Sequence, residues 1–313
     1  MLDELRVFSG SANQPLAAEV CRHLGINLGK LKVSRFSNDN LFVQVMENVR
    51  ERDVFVFQSF TPPVSEHILE LFIIMDALRS ASARRITAVV PYYSYARSDK
   101  KDAPRISIAG RLMADLLGTA GANRILTLDL HSDAVHGFFS MPVDHLTAVP
   151  LIADHFIRTR DLSNSVAVAT DAGGGKRVGK FARRLKIPMA IIDKRRLGDT
   201  NVEQGLVVGS VDGRDAIVFD DEISTASTLV ATVKTLAAAG ARRIDVGATH
   251  PVFCGPAMDN LAAMDVASVV VTDTVHLPES KQRPNIVQIS VATLMAEAIR
   301  RIHTGESVGS LFV

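Results

Sequence analysis

Short, nearly continuous apolar runs recur along the chain. They alternate with longer segments in which apolar residues return every three or four positions. The runs fall at residues 5–8, 53–57, 86–90, 124–128, 166–169, 189–193, 216–219, 244–249 and 267–272. Runs of this kind, bounded by polar or glycine-containing segments, read as strands buried on both faces. Helical spacing falls at 14–24, 64–80, 106–119, 150–159, 175–185, 229–239 and 291–304. Strand–helix–strand repetition predicts an α/β protein with parallel central sheets flanked by helices. Ligands of such sheets bind beyond the carboxyl ends of the strands. Asp129-Leu130-His131, Asp171-Ala172-Gly173 and Asp220-Asp221 each follow a predicted strand directly.

A boundary near residues 143–150 divides the chain into halves of similar pattern, with about four strand–helix units each. We expect two doubly wound domains, 1–147 and 148–313, with the C-terminal tail packing back on the first. No low-complexity linker separates the halves, and a site between them is expected.

Composition narrows the function. Of 313 residues, 47% are apolar and 22% charged, enough for substantial cores. The net charge is +1, so nothing points to nucleic acid and any anion site is local. Cys21 and Cys254 lie far apart without metal-ligand spacing, which suits a reducing, cytoplasmic setting. Residues 1–6 have no apolar signal core, and no apolar run reaches the roughly 20 residues that span a membrane.

The most informative stretch is 216–228: a buried strand, the acids Asp220 and Asp221, a turn of Ser224, Thr225, Ala226, Ser227 and Thr228, then a helix. A helix start offers backbone N–H groups and a positive dipole end to a phosphate, and the hydroxyls add donors. Adjacent carboxylates can accept hydrogen bonds from a vicinal diol. A sugar phosphate would satisfy both, and an acidic cap on an ordinary helix is the plainer alternative.

Other segments carry chemistry with less specificity. Tyr92, Tyr93 and Tyr95 flank Arg97, which suits nucleotide phosphate or, equally, a solvated basic loop with its tyrosines in the core. Asp129 and His131 are two apart, on one side of an extended segment that could hold a divalent ion, although a polar strand end explains such a pair better. Asp171 precedes Gly173, Gly174 and Gly175, a turn able to bring backbone close to phosphate. Lys194, Arg195 and Arg196 form a basic cluster that a solvated charge run also explains.

Taken in order, these segments resemble the ribose-phosphate diphosphokinase family, the phosphoribosyl diphosphate synthetases. The resemblance runs through Arg35-Phe36-Ser37, Tyr95-Ala96-Arg97, Asp129-Leu130-His131, Asp171-Ala172-Gly173-Gly174, Asp193-Lys194-Arg195-Arg196, the Asp220-Asp221 loop and Thr249-His250-Pro251. It implies two similar domains of the type I phosphoribosyltransferase fold. It also implies transfer of the diphosphoryl group of MgATP to the anomeric hydroxyl of ribose 5-phosphate, releasing AMP. By position, Asp220 and Asp221 would bind ribose hydroxyls, and Ser224, Thr225, Ala226, Ser227 and Thr228 the 5-phosphate. Asp171, Gly173 and Gly174 would line the same substrate. His131 and Asp171 would hold Mg²⁺. Lys194, Arg196, Arg97 and His131 would serve catalysis. Phe36, Asn38, Asn40, Arg97, Ser98 and Asp99 would bind the nucleotide. Arg50, Ser82, Arg105 and Ser307 match a regulatory phosphate or ADP site. Homodimers or hexamers are implied too.

The chain departs from the family at several points. Asn38-Asp39-Asn40 stands where Asp-Gly-Glu is usual, Ser98 replaces Gln, and Ser224 and Ser227 replace Asp and Gly in the phosphate turn. Two other readings fit parts of the chain: a weakly active or non-catalytic paralogue, and a phosphoribosyltransferase, which usually has only one such domain.

Overall fold

The computed structural model describes residues 4–195 and 204–311. It divides into two units. The first comprises Met1–Thr147, Thr274–His276 and Ser290–Val313; the second comprises Ala148–Asp273 and Leu277–Ile289.

In the first unit, β1 (Leu5–Ser9), β4 (Asp53–Phe57), β5 (Arg85–Val90), β6 (Arg124–Leu128) and β7 (Val143–Leu146) form one sheet in that order. Every pairing is parallel. All of β4 is buried, as its unbroken apolar run demands. The helices α1 (Gln14–Leu24), α2 (Val64–Ser80) and α3 (Ala109–Ala120) connect the strands. Asn13 opens α1 by accepting from Leu16 N, and Gly25, at φ 70°, closes it.

Between α1 and β4 stands an antiparallel hairpin, β2 (Leu31–Arg35) and β3 (Leu41–Val45), pairing only with itself. Four of the five positions of β2 are exposed, and the apolar run of β3, Leu41-Phe42-Val43, is only three residues long, so the sequence did not announce the hairpin. Helix α3 starts three residues later than its spacing predicts. The Gly110 N–H bonds the Ser98 carbonyl at 3.1 Å, outside the helix.

The last helix, α8 (Ala292–Thr304), packs on α1. Its end is tied to the amino end of β4. Fully buried Asp53 accepts from Arg85 Nε at 2.8 Å, pairs again through Arg85 Nη2, and lies 2.7 Å from His303 Nδ1. Arg85 Nη2 also donates to the Ile302 carbonyl at 3.1 Å. A carboxylate stripped of water needs such partners.

The second unit has one sheet, ordered β10 (Gln204–Val208), β9 (Met189–Arg195), β8 (Ser165–Ala169), β11 (Asp215–Ile223), β12 (Arg243–Pro251), β13 (Ser268–Thr272) and β14 (Ile286–Ile289). Only β10 is antiparallel; the sheet is otherwise the expected parallel one. Helices α4 (Val149–Thr159), α5 (Gly175–Leu185), α6 (Ser227–Ala238) and α7 (Ala257–Ala262) belong to this unit. The chain leaves β8 toward β9 on one side and leaves β11 toward β12 on the other. Neighbours whose connections part in this way create a crevice at their carboxyl ends.

Two strand ends differ from expectation there. β11 does not stop before the acids but runs through Asp220 and Asp221 to Ile223. β8 pairs with it only as far as Ala169 opposite Phe219, so the next residues are paired by β12 alone. The Asp53 cluster leads to a prediction about stability. Asp53→Ala leaves Arg85 and His303 at a site built for an anion, and the loss of unfolding free energy should be about 3–5 kcal/mol, read from denaturant titration. A loss below about 1 kcal/mol would show that the cluster does not anchor α8.

Candidate active site

The carboxyl ends of β8 and β11 bring four side chains together. Thr170 Oγ1 donates to Asp220 Oδ2 at 2.9 Å. Arg177 Nη1, from the first turn of α5, donates to Asp221 Oδ1 at 2.8 Å and stands 3.6 Å from Asp220 Oδ1. The two carboxylates therefore converge on one guanidinium, although they are successive residues of a strand. They are not equivalent. Asp221 is 2% exposed and fully committed to the protein, whereas the Asp220 side chain keeps 29% of its surface. Arg177 has no assigned role in the sequence reading; its position just beyond the glycine turn was the available signal.

Beyond β11 the chain turns through Ser224, Thr225 and Ala226 into α6. Ala226 adopts φ 61°, ψ 7°, and no side chain caps the helix. The residue in the left-handed region is thus Ala226; Ser227, in place of the family's glycine, is already helical and removes no required freedom. The first N–H bonded within the helix is that of Val230, to the Ala226 carbonyl at 2.9 Å. The N–H groups of Ser227, Thr228 and Leu229 precede it and lack intrahelical acceptors, as in any first turn. Thr225 Oγ1 and Ser227 Oγ lie 3.1 Å apart at the mouth, and Ser224 Oγ lies 3.1 Å from Cys254 Sγ.

Asp171 is exposed after β8, and its Oδ1 accepts from Gly174 N at 2.9 Å. None of Gly173, Gly174 and Gly175 has a positive φ. Room is what Gly173 supplies: a Cβ there would stand 3.2 Å from Asp171 Oδ1.

In the first unit, Asp129 takes φ 35° at the end of β6. This breaks the alternation that would have put Asp129 and His131 on one side. Asp129 turns inward, 7% exposed, and accepts from Thr147 Oγ1 at 2.7 Å, while His131 is exposed. The Leu130 N–H donates to His145 Nε2 at 2.8 Å, which requires the proton of that neutral ring on Nδ1.

Arg97 ends a short 3₁₀ turn, Ser94–Arg97, and is exposed; Ser98 and Asp99 follow, half-buried. Tyr93 lies beneath it in the core, its hydroxyl donating to the Gly110 carbonyl at 2.9 Å. Burial pushes the Tyr93 hydroxyl well above its usual pKa. The tyrosines anchor the loop, and Arg97 projects from it. Gly110, which the sequence reading passed over, is required here: a Cβ would come within 2.8 Å of the Tyr95 carbonyl.

Phe36 is 56% exposed in the β2–β3 turn, edge-on to Phe42 with ring centres 5.5 Å apart. Asn38 Oδ1 accepts from Asn40 N at 3.3 Å, which leaves its amide N–H groups as donors. Arg35 fastens the turn to Asp39 and Glu66.

Of the residues matched to a regulatory site, Arg50 and Ser82 lie in loops joined by a bond of 2.9 Å from Glu51 N to the Ser82 carbonyl. Ser307, which follows α8, bonds Gly309 N and Arg301. Arg105 belongs to the loop after β5, at the opposite end of the strands. Lys194 is described as backbone in β9, and Arg196 lies outside the described residues.

This arrangement matches known proteins along nearly its whole length. Residues 5–121 fit the N-terminal domain of ribose phosphate pyrophosphokinase, and residues 204–313 the phosphoribosyl synthetase-associated domain. A ribose-phosphate pyrophosphokinase of Deinococcus radiodurans is 51% identical over 98% of both chains. One from Bacillus caldolyticus is 46% identical over 99% of this chain and 98% of its own. The chain belongs to the ribose-phosphate pyrophosphokinase family. The crystal structure of a phosphoribosylpyrophosphate synthetase from Mycobacterium smegmatis superposes with a TM-score of 0.92 at 38% identity, covering 96% of this chain and 99% of that one. Among the described residues no helix is long and apolar enough to cross a membrane.

The paired acids of this pyrophosphokinase-family chain have a consequence for pH. Burial, then the neighbouring Asp221 charge, pushes the Asp220 pKa up, against the opposing pull of Thr170 and Arg177. A folded state that holds this proton more tightly than the unfolded chain loses stability as pH rises from about 4, the ordinary Asp value, through the raised one. Without ligands, Asp220→Asn should therefore melt higher than the parent at pH 8, and the gap should close below pH 4. Parallel melting profiles across that range would remove the strain assigned to Asp220.

Proposed function

We propose that the chain moves the β,γ-diphosphoryl group of ATP onto the anomeric hydroxyl of ribose 5-phosphate, giving 5-phosphoribosyl 1-diphosphate and AMP. The observation that carries this is the second unit's crevice, where an uncapped, hydroxyl-lined helix start follows a partly exposed carboxylate on the same strand. The uncapped start suits a terminal phosphate, and the carboxylate suits sugar hydroxyls.

On this reading Ser224, Thr225, Ala226, Ser227 and Thr228 bind the 5-phosphate. Asp220 accepts from the ribose hydroxyls, with Asp221 and Arg177 fixing its position. Asp171, Gly173 and Gly174 border the same sugar. Phe36 offers a face or edge to the base, with Asn38 and Asn40 at its rim, and Arg97, Ser98 and Asp99 face the phosphates. The new bond joins the anomeric oxygen to the β-phosphorus as that phosphorus parts from the oxygen that leaves on AMP. Lys194 and Arg196 neutralise charge on the group in transit.

Magnesium is the proposed ion, with His131 and Asp171 as its protein ligands. Asp171 fits, since its carboxylate is exposed and Oδ2 has no protein partner among the described residues. Magnesium keeps several waters and binds substrate phosphates beside one or two carboxylates, so a single exposed carboxylate is a sufficient protein anchor. When bound, it supplies positive charge to the diphosphate.

Arg50, Ser82, Arg105 and Ser307 are proposed to take phosphate or ADP as a regulator. The protein is proposed to act in the cytoplasm as a homodimer or hexamer, and a monomer by light scattering would overturn the oligomer.

One assay tests the reading: AMP release with ribose 5-phosphate and Mg²⁺ across a panel of purine nucleoside triphosphates, with and without inorganic phosphate. We expect turnover, with discrimination among purines relaxed because Asn38 presents donors where adenine's amino group needs an acceptor. No AMP release with any donor would sink the activity, and strict ATP dependence would sink the specificity claim. In the same assay Lys194→Ala should lower turnover by orders of magnitude with a modest change in KM for ribose 5-phosphate; near-normal turnover would remove Lys194 from catalysis.

A further inference from the structure

The phosphate turn is held in a conformation it would not choose alone. Ala226 sits in the left-handed region at φ 61°, which costs an L-residue with a Cβ roughly 1–2 kcal/mol. Nothing within the turn supplies that. The Thr225 and Ser227 hydroxyls bond each other, and the bond from Ser227 N to Thr225 Oγ1 is 3.5 Å long.

The support comes from outside, from the segment between β12 and the end of α7. Phe253 N donates to the Ile223 carbonyl and Cys254 N to the Ser224 carbonyl, each at 3.0 Å. The next carbonyl, that of Thr225, accepts from Asn260 Nδ2 at 2.8 Å. Three successive carbonyls, the last of β11 and the first two of the turn, are thus anchored on one side. Asn260 is half-buried on α7 and is the only side chain among the three donors.

Peptide planarity gives this contact its reach. In a trans peptide the C=O and the following N–H point in opposite directions. Binding the Thr225 carbonyl toward α7 therefore turns the Ala226 N–H away from α7. That N–H immediately precedes those of Ser227, Thr228 and Leu229 at the start of α6. A peptide flip would present the Thr225 carbonyl where an anion needs a donor.

We propose that Asn260 is a positioning residue for the anion-binding turn, holding the Thr225–Ala226 peptide so that its N–H is available to the phosphate of the substrate. It touches neither substrate nor metal, and it acts through one carbonyl. The proposal rests on the reading of this turn as the ribose 5-phosphate site.

The test compares Asn260→Asp, which keeps the shape and removes the donor, with Asn260→Ala and Asn260→Gln. Ribose 5-phosphate binding is measured by calorimetry without nucleotide, and kcat and both KM values by AMP release. Losing one neutral hydrogen bond should weaken ribose 5-phosphate about 5- to 10-fold in Kd and KM for Asn260→Ala. Asn260→Asp should weaken it more, since a carboxylate would face the carbonyl. Asn260→Gln should recover part of the loss, and kcat and the KM for ATP should stay within about twofold of the parent in every variant. Unchanged ribose 5-phosphate affinity in Asn260→Asp and Asn260→Ala would overturn the proposal. So would equal shifts in both KM values together with a lowered melting temperature. A parent protein that bound no ribose 5-phosphate would instead overturn the site reading beneath it.

Discussion

Two adjacent carboxylates at the end of a strand repel each other, and the second unit is arranged around making that tolerable. Successive strand side chains normally leave on opposite faces. Here both Asp220 and Asp221 reach the Arg177 guanidinium, and Thr170 supplies one further donor. This requires β11 to outrun β8, so that Asp220 lies beyond the last rung of one neighbour while β12 still holds its backbone. It also requires α5 to begin within the glycine turn, at Gly175, so that its third residue reaches back over the strand ends. The unequal strand lengths, the glycine turn and the basic helix start are three parts of one electrostatic solution.

Much of this architecture could be read from the chain. Buried parallel strands leave unbroken apolar runs, so β4, β8 and β13 stood out, as did the helices with one apolar stripe. The β2–β3 hairpin did not, because β2 is exposed at four of five positions and β3 carries an apolar run of only three residues. The edge strands β10 and β14 escaped as well, neither having more than three apolar residues in a row.

The site was legible where chemistry is carried by side-chain type and obscure where it is carried by backbone. The hydroxyl turn and the Asp pair were evident as residues. That the acids lie inside β11, that Asp129 turns inward on a positive φ, and that Ala226 rather than Ser227 bears the left-handed geometry are facts of φ and hydrogen bonding. No single residue spells them. Gly110 is instructive in this respect: its reason is a 2.8 Å approach to the carbonyl of Tyr95, fifteen positions earlier in the chain. Contacts of that range are invisible to any local pattern.

The tie between Asp53 and His303 spans 250 residues, and α8 completes a unit whose other strands were laid down before the second unit began. A ribosome making this chain emits β4 with its buried acid long before the helix that covers it. Until α8 emerges, the first unit carries an uncovered α1 face and an Asp53–Arg85 pair open to water. The second sheet waits in the same way, because its edge strand β14 ends at Ile289, just before α8 begins at Ala292, so both units draw their final element from one short stretch of late-made chain.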